Sequence, residues 1–331
     1  MKGIIMAGGS GSRLKPLTGV LSKQLLPVYN KPMIYYPLSV LMLAGVTEVL
    51  IISSPQHLPL FRAMLGDGDR LGMRLTYAEQ HRPAGIAEAF LIGAGHIGDD
   101  SVSLVLGDNI FHGPGFSALL REQARRVDGC TLFGYPVRDP HRYGVAVVDS
   151  GGHLTDIEEK PDRPRSELAV TGLYMYDNDV VGIARGLRPS ARGELEVTDI
   201  NRAYLERGKA RLVQLGRGFV WLDTGTHEAL LEAGQYVHIL EQRQSVRIAC
   251  LEEIAFRMGF IDRAALQRLG REHADTDYGA YLTEIADKPP ATWSVSDGTS
   301  APAAMTDPIG LPEHTGDTKP LVPTPAGLFR S

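Results

Sequence analysis

Residues 2–14, KGIIMAGGSGSRL, decide the fold: an apolar run over Lys2–Met6 reads as a buried strand and breaks directly into a turn carrying Gly8, Gly9 and Gly11, followed by Arg13 and Lys15. Glycines at the end of a strand let main-chain N–H groups close around an anion without Cβ obstruction, and a nearby arginine can fork onto a phosphate. The turn therefore reads as an anion nest. It is not a Walker loop, because the lysine–serine or lysine–threonine pair is missing at the required spacing. The third glycine of a dinucleotide fingerprint is also missing, which disfavours a nicotinamide-dependent oxidoreductase. Glycine spacing alone fits a tight strand-to-loop turn with solvated cations equally well.

Outward from this turn, short β-branched runs alternate with helix-length amphipathic stretches, the pattern of right-handed βαβ units around a parallel sheet. Pro32 to Ala44 opens on proline and has Gly45 just beyond it, the polarity of a helix. Strands are expected at Thr47–Ser53, Leu75–Ala78 and Val102–Leu106, with a helical stretch at Ala87–Ala94. Shorter β-rich segments follow at Thr131–Val137, Gly144–Asp149 and Ala169–Tyr176, which complete a mixed sheet. Thr226–Gln242 puts Leu230, Gly234, Val237 and Leu240 on one helical face, and more helix is expected from Glu252 to about Ala286. From 288 to 331 the chain holds eight of its 21 prolines and few apolar clusters, so it reads as a mobile tail.

A length of 331 residues suits one large α/β domain with an appended unit. The net charge of -5 gives no electrostatic reason to expect nucleic acid or a membrane surface as partner. A bound polyanion must instead be gripped by locally placed cations. Two cysteines, Cys130 and Cys250, cannot make a disulfide framework or a four-cysteine metal site, which suits a reducing cytoplasm. No leader or membrane span is expected from the apolar runs.

Lys23, beside Gln24 in LSKQLLPVYNKPMIYYPLS, follows the glycine turn closely enough to reach a phosphate. Asp108 follows the apolar strand 102–106, at the end where open α/β sheets bind ligands. Asp223, in FVWLDTGT, offers a second carboxylate, and Mg²⁺ needs only one or two beside waters and phosphate oxygens. Each of these aspartates also fits a turn or a helix cap. Lys160 after Glu158 and Glu159, and Arg192 in PSARGELE, read either as surface charges or as anion-binding cations.

The glycine loop, the KQLLPV segment, and then LVLGDNIF, RYGV, EEKP, VTGLYMYDNDVV, PSARGELEVTDIN and WLDTGTHEALLEA, in that order, resemble the sugar-nucleotidyltransferase family, within it the branch that uses dTTP and glucose 1-phosphate. The resemblance covers residues 1 to about 287. Ser12 stands where the family most often has threonine, and Met6 where leucine is usual. It implies an α/β, Rossmann-like three-layer fold with a mixed, mainly parallel sheet: a catalytic domain over 1–243, a helical extension over 244–287 and the tail beyond.

The resemblance also implies residue roles. Met6, Gly8, Gly9, Gly11, Ser12, Arg13, Lys23, Gln24, Gln80, Gly85 and Asp108 would bind dTTP. Asn109, Tyr143, Gly144, Glu159, Lys160, Val170, Tyr174, Arg192 and Trp221 would bind the sugar phosphate, and Asp108 with Asp223 would hold Mg²⁺. The implied catalytic set is Arg13, Lys23, Asp108, Lys160 and Asp223. The family pattern further implies a homotetramer with a regulatory site for a dTDP-sugar, involving His112, Gly113, Arg217, Gly218, Glu253 and Arg257. Use of UTP or another hexose 1-phosphate, and a noncatalytic nucleotide-sugar sensor, are the alternatives.

Overall fold

In chain order the elements are β1 (Lys2–Met6), a short hairpin of β2 (Pro27–Val28) and β3 (Lys31–Pro32), α1 (Tyr35–Leu43), β4 (Glu48–Ser53), α2 (Leu58–Leu65) and β5 (Arg74–Glu79). Then come α3 (Glu88–Ile92), α4 (Ala94–Ile97), β6 (Val102–Leu106), β7 (Asn109–His112), α5 (Phe116–Arg125), β8 (Cys130–Pro136), β9 (Gly144–Val148), β10 (Leu154–Glu159) and β11 (Leu168–Tyr176). The chain continues through α6 (Asp179–Gly186), α7 (Val197–Glu206), β12 (Ala210–Gln214), β13 (Val220–Asp223), α8 (His227–Gln244), α9 (Leu251–Arg257), α10 (Arg263–Glu272) and α11 (Asp277–Asp287). This computed structural model describes residues 1–9 and 11–288, so the tail expected from 288 onward lies, but for Lys288, outside the described residues.

β1 lies between β4 and β6 and runs parallel to both, with Ile4 beside Leu50 and Leu104 and Ile5 beside Ile51 and Val105. β5 extends the parallel set beyond β4. On the other side β11 joins β6 antiparallel and also pairs with β8 and β9, so the sheet is parallel at its centre and mixed beyond it. The period of two along a strand then separates two cores. Ile5, Val49, Ile51 and Val105 pack under α1, α2, α5 and α9, whereas Ile4, Leu50, Ile52 and Leu104 pack against α3, α6 and α7. Helices on both faces make the expected three layers.

Three helical expectations shift for identifiable reasons. The first helix starts at Tyr35 because Lys31 and Pro32 are taken up by the hairpin with Pro27 and Val28. The stretch 87–94 divides into α3 and α4 around Gly93, where a Cβ would press on Ile4 (2.8 Å) and on the Ala89 carbonyl (2.9 Å). The last helical region is three helices. α9 is part of the main core through Leu251, Ile254 and Ala255, while α10 and α11 close a smaller cluster over Cys250. α8 starts as the sequence suggests, with the Thr226 hydroxyl accepting from the Ala229 N–H at 3.2 Å.

One buried ion pair fastens the two ends of this arrangement. Lys31, in the hairpin, and Glu241, near the end of α8, meet at 2.7 Å with side chains only 2% and 5% exposed. Asn30 Nδ2 and the Ile248 N–H also donate to Glu241, at 2.8 and 3.0 Å, and the Arg247 guanidinium lies 3.6 Å away. Burial lowers the pKa of the Lys31 ammonium, and the hydrogen bond to Glu241 opposes that shift. Removing one partner of such a pair leaves an uncompensated charge. Glu241→Ala is therefore expected to lower the unfolding free energy by about 3–5 kcal/mol in urea titrations, and the double change Lys31→Met with Glu241→Leu should recover most of it.

Candidate active site

The glycine turn opens off the end of β1 at the centre of the sheet. Gly9 (φ +109°) and Gly11 (φ +55°) occupy left-handed conformations that suit glycine, and a Cβ on Gly11 would lie 2.9 Å from Thr18 Cγ2. Thr18 fastens the far side of the loop by donating to the Gly11 carbonyl at 2.7 Å. Gly8, Gly9, Lys15, Thr18, Lys23 and Gln80 line a cavity of about 330 Å³. A side chain on Gly8 would meet the Gln80 carbonyl oxygen at 2.9 Å, and Gln80 Nε2 donates to Glu88 at 2.7 Å. A carboxylate only accepts, so Glu88 turns the amide nitrogen inward and leaves Gln80 Oε1 facing the glycines. Gln24 lies beneath the turn, buried, and donates to the Gly8 carbonyl at 3.3 Å.

A second cavity of about 320 Å³ gathers Arg13, Asp108, Asn109, Tyr143, Gly144, Glu159, Lys160, Val170, Tyr174, Arg192, Trp221 and Asp223, so twelve of the residues singled out in the sequence converge from seven separate segments. Its frame is polar and tight. Asn109 Oδ1 accepts from Trp221 Nε1 (2.6 Å) and from the Gly172 N–H (3.1 Å). Tyr143 packs edge-on to Trp221 with ring centres 5.1 Å apart. Lys160 holds a left-handed backbone (φ +42°), uncommon for a residue with a side chain and a conformation that concentrates at functional sites.

The two cavities meet at an ion pair. Lys23 lines the first and Asp108 the second, and the Lys23 ammonium donates to Asp108 Oδ2. Asp223 arrives on β13, paired with Asn109 of β7, and Thr224 clamps the junction by donating its N–H (3.1 Å) and hydroxyl (2.7 Å) to the Asp108 carbonyl. The two carboxylates titrate in opposite directions. Burial pushes Asp108 up, but Lys23 and Asn109 outweigh it and hold its carboxyl below the usual value of 3.8. Burial and the charge of Asp108 raise Asp223, with Lys23, Arg13 and Arg142 opposing. Among the described residues no group of three or more His, Cys, Asp or Glu is placed to hold a metal ion by itself. Two adjacent carboxylates opening onto a phosphate-sized cavity suit Mg²⁺, which keeps waters and phosphate oxygens as its other ligands.

Other expected residues sit elsewhere. Met6 packs its side chain into the core and its carbonyl accepts from the Gly107 N–H at 2.9 Å. Ser12 begins the single 3₁₀ turn that carries Arg13. Gly85 (φ +105°) is required where the chain presses on the backbone of Leu195. His112 and Gly113 lie opposite the turn of Arg217 and Gly218, with His112 Nδ1 2.8 Å from the Tyr236 hydroxyl. Glu253 and Arg257 pair with each other at 2.7 Å on α9. None of these nine expected residues lines either cavity.

Sequence reasoning missed Glu88, Arg142, Glu196 and Thr198. Thr198 donates to Glu159 Oε2 at 2.5 Å. Glu196 accepts from Arg192 at 2.8 Å, and Arg192 also reaches Glu159 at 3.1 Å, so this guanidinium is held by carboxylates. Arg142 and Thr198 lie inside the RYGV and PSARGELEVTDIN segments, which was the available signal.

Comparison with known proteins gives the family. The model of the nucleotidyl transferase family matches residues 2–239. The chain is 54% identical over 285 residues to a glucose-1-phosphate thymidylyltransferase of Xanthomonas campestris pv. campestris, covering 86% of this chain and 97% of the relative. It is 53% identical over 288 residues to that of Neisseria meningitidis (87% and 100%) and 50% identical over 288 residues to that of Mycobacterium tuberculosis (87% and 100%). Among solved structures it is similar to a Bacillus anthracis chain assigned to the glucose-1-phosphate thymidylyltransferases and solved with sucrose, at a TM-score of 0.67 and 41% identity over 71% of this chain and 94% of that one. A UDP-glucose pyrophosphorylase with UDP-glucose shares the fold, at a TM-score of 0.64 and 22% identity over 72% of this chain and 98% of that one.

The raised carboxyl of Asp223 has a sign. Its folded pKa lies above the ordinary 3.8, so the charged form costs stability above the folded pKa, and the cost is gone below the ordinary value. Asp223→Asn is therefore expected to raise the urea midpoint at about pH 7, with the gain shrinking as pH falls through the raised pKa towards the unfolded value.

Proposed function

This chain belongs to the nucleotidyl transferase family, in its glucose-1-phosphate thymidylyltransferase branch, and from that membership and the geometry of the site we propose that it joins the thymidylyl group of dTTP to glucose 1-phosphate, releasing pyrophosphate and forming dTDP-glucose. The observation that carries the reading is the Lys23–Asp108 pair, which stands where the glycine-turn cavity adjoins the cavity of Tyr143, Glu159 and Trp221. A phosphate in each cavity would approach the other there.

The chemistry is an in-line displacement. An oxygen of the sugar phosphate attacks the α-phosphorus of dTTP, the bond to the β-phosphate oxygen breaks, and pyrophosphate departs with its electron pair. The nucleophile is already an anion, so the barrier lies in bringing two anions together and in stabilising the charge of the equatorial oxygens. The turn of Gly8, Gly9, Gly11 and Ser12, with Arg13, would hold the departing pyrophosphate, Lys23 the α-phosphate, and Lys160 with Arg192 the attacking phosphate. Gln80 offers an acceptor to the N3–H of thymine. Glu159, fixed by Thr198, offers acceptors to sugar hydroxyls beside the Tyr143 and Trp221 rings. Mg²⁺ held by Asp108 and Asp223 would supply charge neutralisation.

Several assignments complete the proposal. Residues 1–243 would form the catalytic domain and 244–287 an extension serving a homotetramer, with His112, Gly113, Arg217, Gly218, Glu253 and Arg257 receiving a dTDP-sugar effector. The enzyme would work in the cytoplasm and supply a deoxysugar pathway such as that to dTDP-rhamnose. No helix among the described residues is long and apolar enough to cross a membrane. Thymine and uracil present the same N–H to Gln80, so UTP is the natural competing substrate.

Incubation with each nucleoside triphosphate, glucose 1-phosphate and Mg²⁺, with pyrophosphate as readout, should give the highest kcat/KM with dTTP; no pyrophosphate from any of them would favour a noncatalytic sensor. Asp108→Asn should lower kcat by about 10³-fold or more while the thermal midpoint remains within a few degrees of wild type. Near-normal turnover would refute the metal assignment.

A further inference from the structure

Two glutamines stand beside the glycine turn, and their amides are spent differently. Gln24 is buried, with its oxygen accepting from the Ser22 hydroxyl and its Nε2 donating to the Gly8 carbonyl at 3.3 Å. Both ends of that amide are occupied, so it has nothing left to offer a base. Gln80 is also buried, but only its nitrogen is engaged: Nε2 donates to Glu88 Oε2 at 2.7 Å, with the Gly85 carbonyl at 3.5 Å. Gln80 Oε1 accepts no hydrogen bond from the described residues and lies 2.9 Å from the place that a Cβ on Gly8 would take, beside the cavity that both residues line.

An amide can present either edge by a half-turn about its last bond, at little cost unless a neighbour distinguishes oxygen from nitrogen. Glu88 makes that distinction. A carboxylate accepts and cannot donate, so a reversed Gln80 would set two oxygens against each other at hydrogen-bond distance. The Gly85 carbonyl favours the same orientation from the limit of hydrogen-bond range. Both partners are held in place. The Gln80 N–H donates to the Ser53 carbonyl at 2.8 Å, at the end of β4. Glu88 opens α3, whose Ala89 and Phe90 are buried. The residues before it are stitched to Leu195 twice: the Ala87 N–H donates to the Leu195 carbonyl at 3.2 Å, and the Leu195 N–H donates to the Ala84 carbonyl at 2.7 Å.

We propose that Glu88 is a positioning residue that sets nucleobase specificity: it holds the Gln80 nitrogen away from the base, leaves an oxygen for the base to meet, and so selects a pyrimidine with an N–H at position 3. Thymine and uracil carry that N–H. Cytosine presents a lone pair there and meets the Gln80 oxygen with no proton between them. This inference rests on the thymidylyltransferase reading and deepens it by adding the residue that makes Gln80 an acceptor. The displacement at the α-phosphorus is unchanged.

The test compares wild type with Glu88→Ala, Glu88→Gln and Glu88→Lys on dTTP and 5-methyl-dCTP, which share the sugar, the triphosphate and the methyl group and differ only along the edge of the base. Pyrophosphate release gives the ratio of the two kcat/KM values, and calorimetry gives the ratio of the two affinities. Both ratios are taken on one preparation, so a loss of folded protein cancels. Wild type should favour dTTP by about 10²-fold or more. Glu88→Ala removes the acceptor, lets the amide turn, and should shrink the preference by about tenfold or more. Glu88→Gln keeps an acceptor oxygen and should restore part of it. Glu88→Lys offers only donors, draws the Gln80 oxygen to itself, and should shrink the preference furthest. A preference that Glu88→Ala moves by less than about threefold, a Glu88→Lys preference no smaller than that of Glu88→Gln, or a wild type indifferent to the two bases overturns the role of Glu88. If turnover of dTTP is intact in such a result, the thymidylyltransferase reading stands and this inference falls. If wild type binds dTTP over 5-methyl-dCTP through Glu88 yet releases no pyrophosphate, the thymidylyltransferase reading falls and the part Glu88 plays in reading the base stands.

Discussion

The electrostatics of Lys23, Asp108 and Asp223 constrain everything around them. Two carboxylates buried side by side repel, and the fold tolerates them because Lys23 compensates one and the other is left with a raised pKa. That residual tension suits a site for a divalent cation and polyanionic substrates, which supply the missing charges when they arrive. The surrounding backbone brings them together. Thr224 binds the Asp108 carbonyl with two hydrogen bonds, and β7 pairs with β13 so that the backbones of the two aspartates are held side by side.

The parallel centre of the sheet was legible because its strands are short, continuous apolar runs. Lys2–Met6 and Val102–Leu106 fall where the residues suggest, and Glu48–Ser53 and Arg74–Glu79 lie within one residue of the expected limits. The glycine turn was legible too, since φ values of +109° and +55° at Gly9 and Gly11 are the conformations that a glycine-rich break after a strand implies. Residues of the sugar-side cavity were legible only as members of a family pattern. Nothing local to Asp223 indicates that it will face Asp108, because their proximity depends on strand pairing across more than a hundred residues of chain.

What stayed hidden shares that cause. Arg192 reads as an available cation, but Glu196 in its own segment holds it at 2.8 Å and Glu159, from another strand, at 3.1 Å. Arg142 drew no reading from its own segment, and the structure sets its guanidinium over the Tyr143 ring. Gly93 has no room for a Cβ because of Ile4, which lies far away in sequence. Glu159 and Ile4 are remote in sequence from the residues they constrain, and periodicity and propensity carry no information about remote partners.

The pairing of Lys31 with Glu241 sets a lower bound on how much chain the chemistry needs. The hairpin that holds Lys31 begins only a few residues after Lys23, and the helix that holds Glu241 begins only a few residues after Asp223. A single rod thus fixes the spacing of two charged groups that touch no common strand. The segment shared across the nucleotidyl transferase family ends at residue 239. A fragment trimmed to that segment would retain every group that handles phosphate and would lose Glu241, the carboxylate that pairs with Lys31, so the folding unit of this chain is longer than its inventory of phosphate-handling groups.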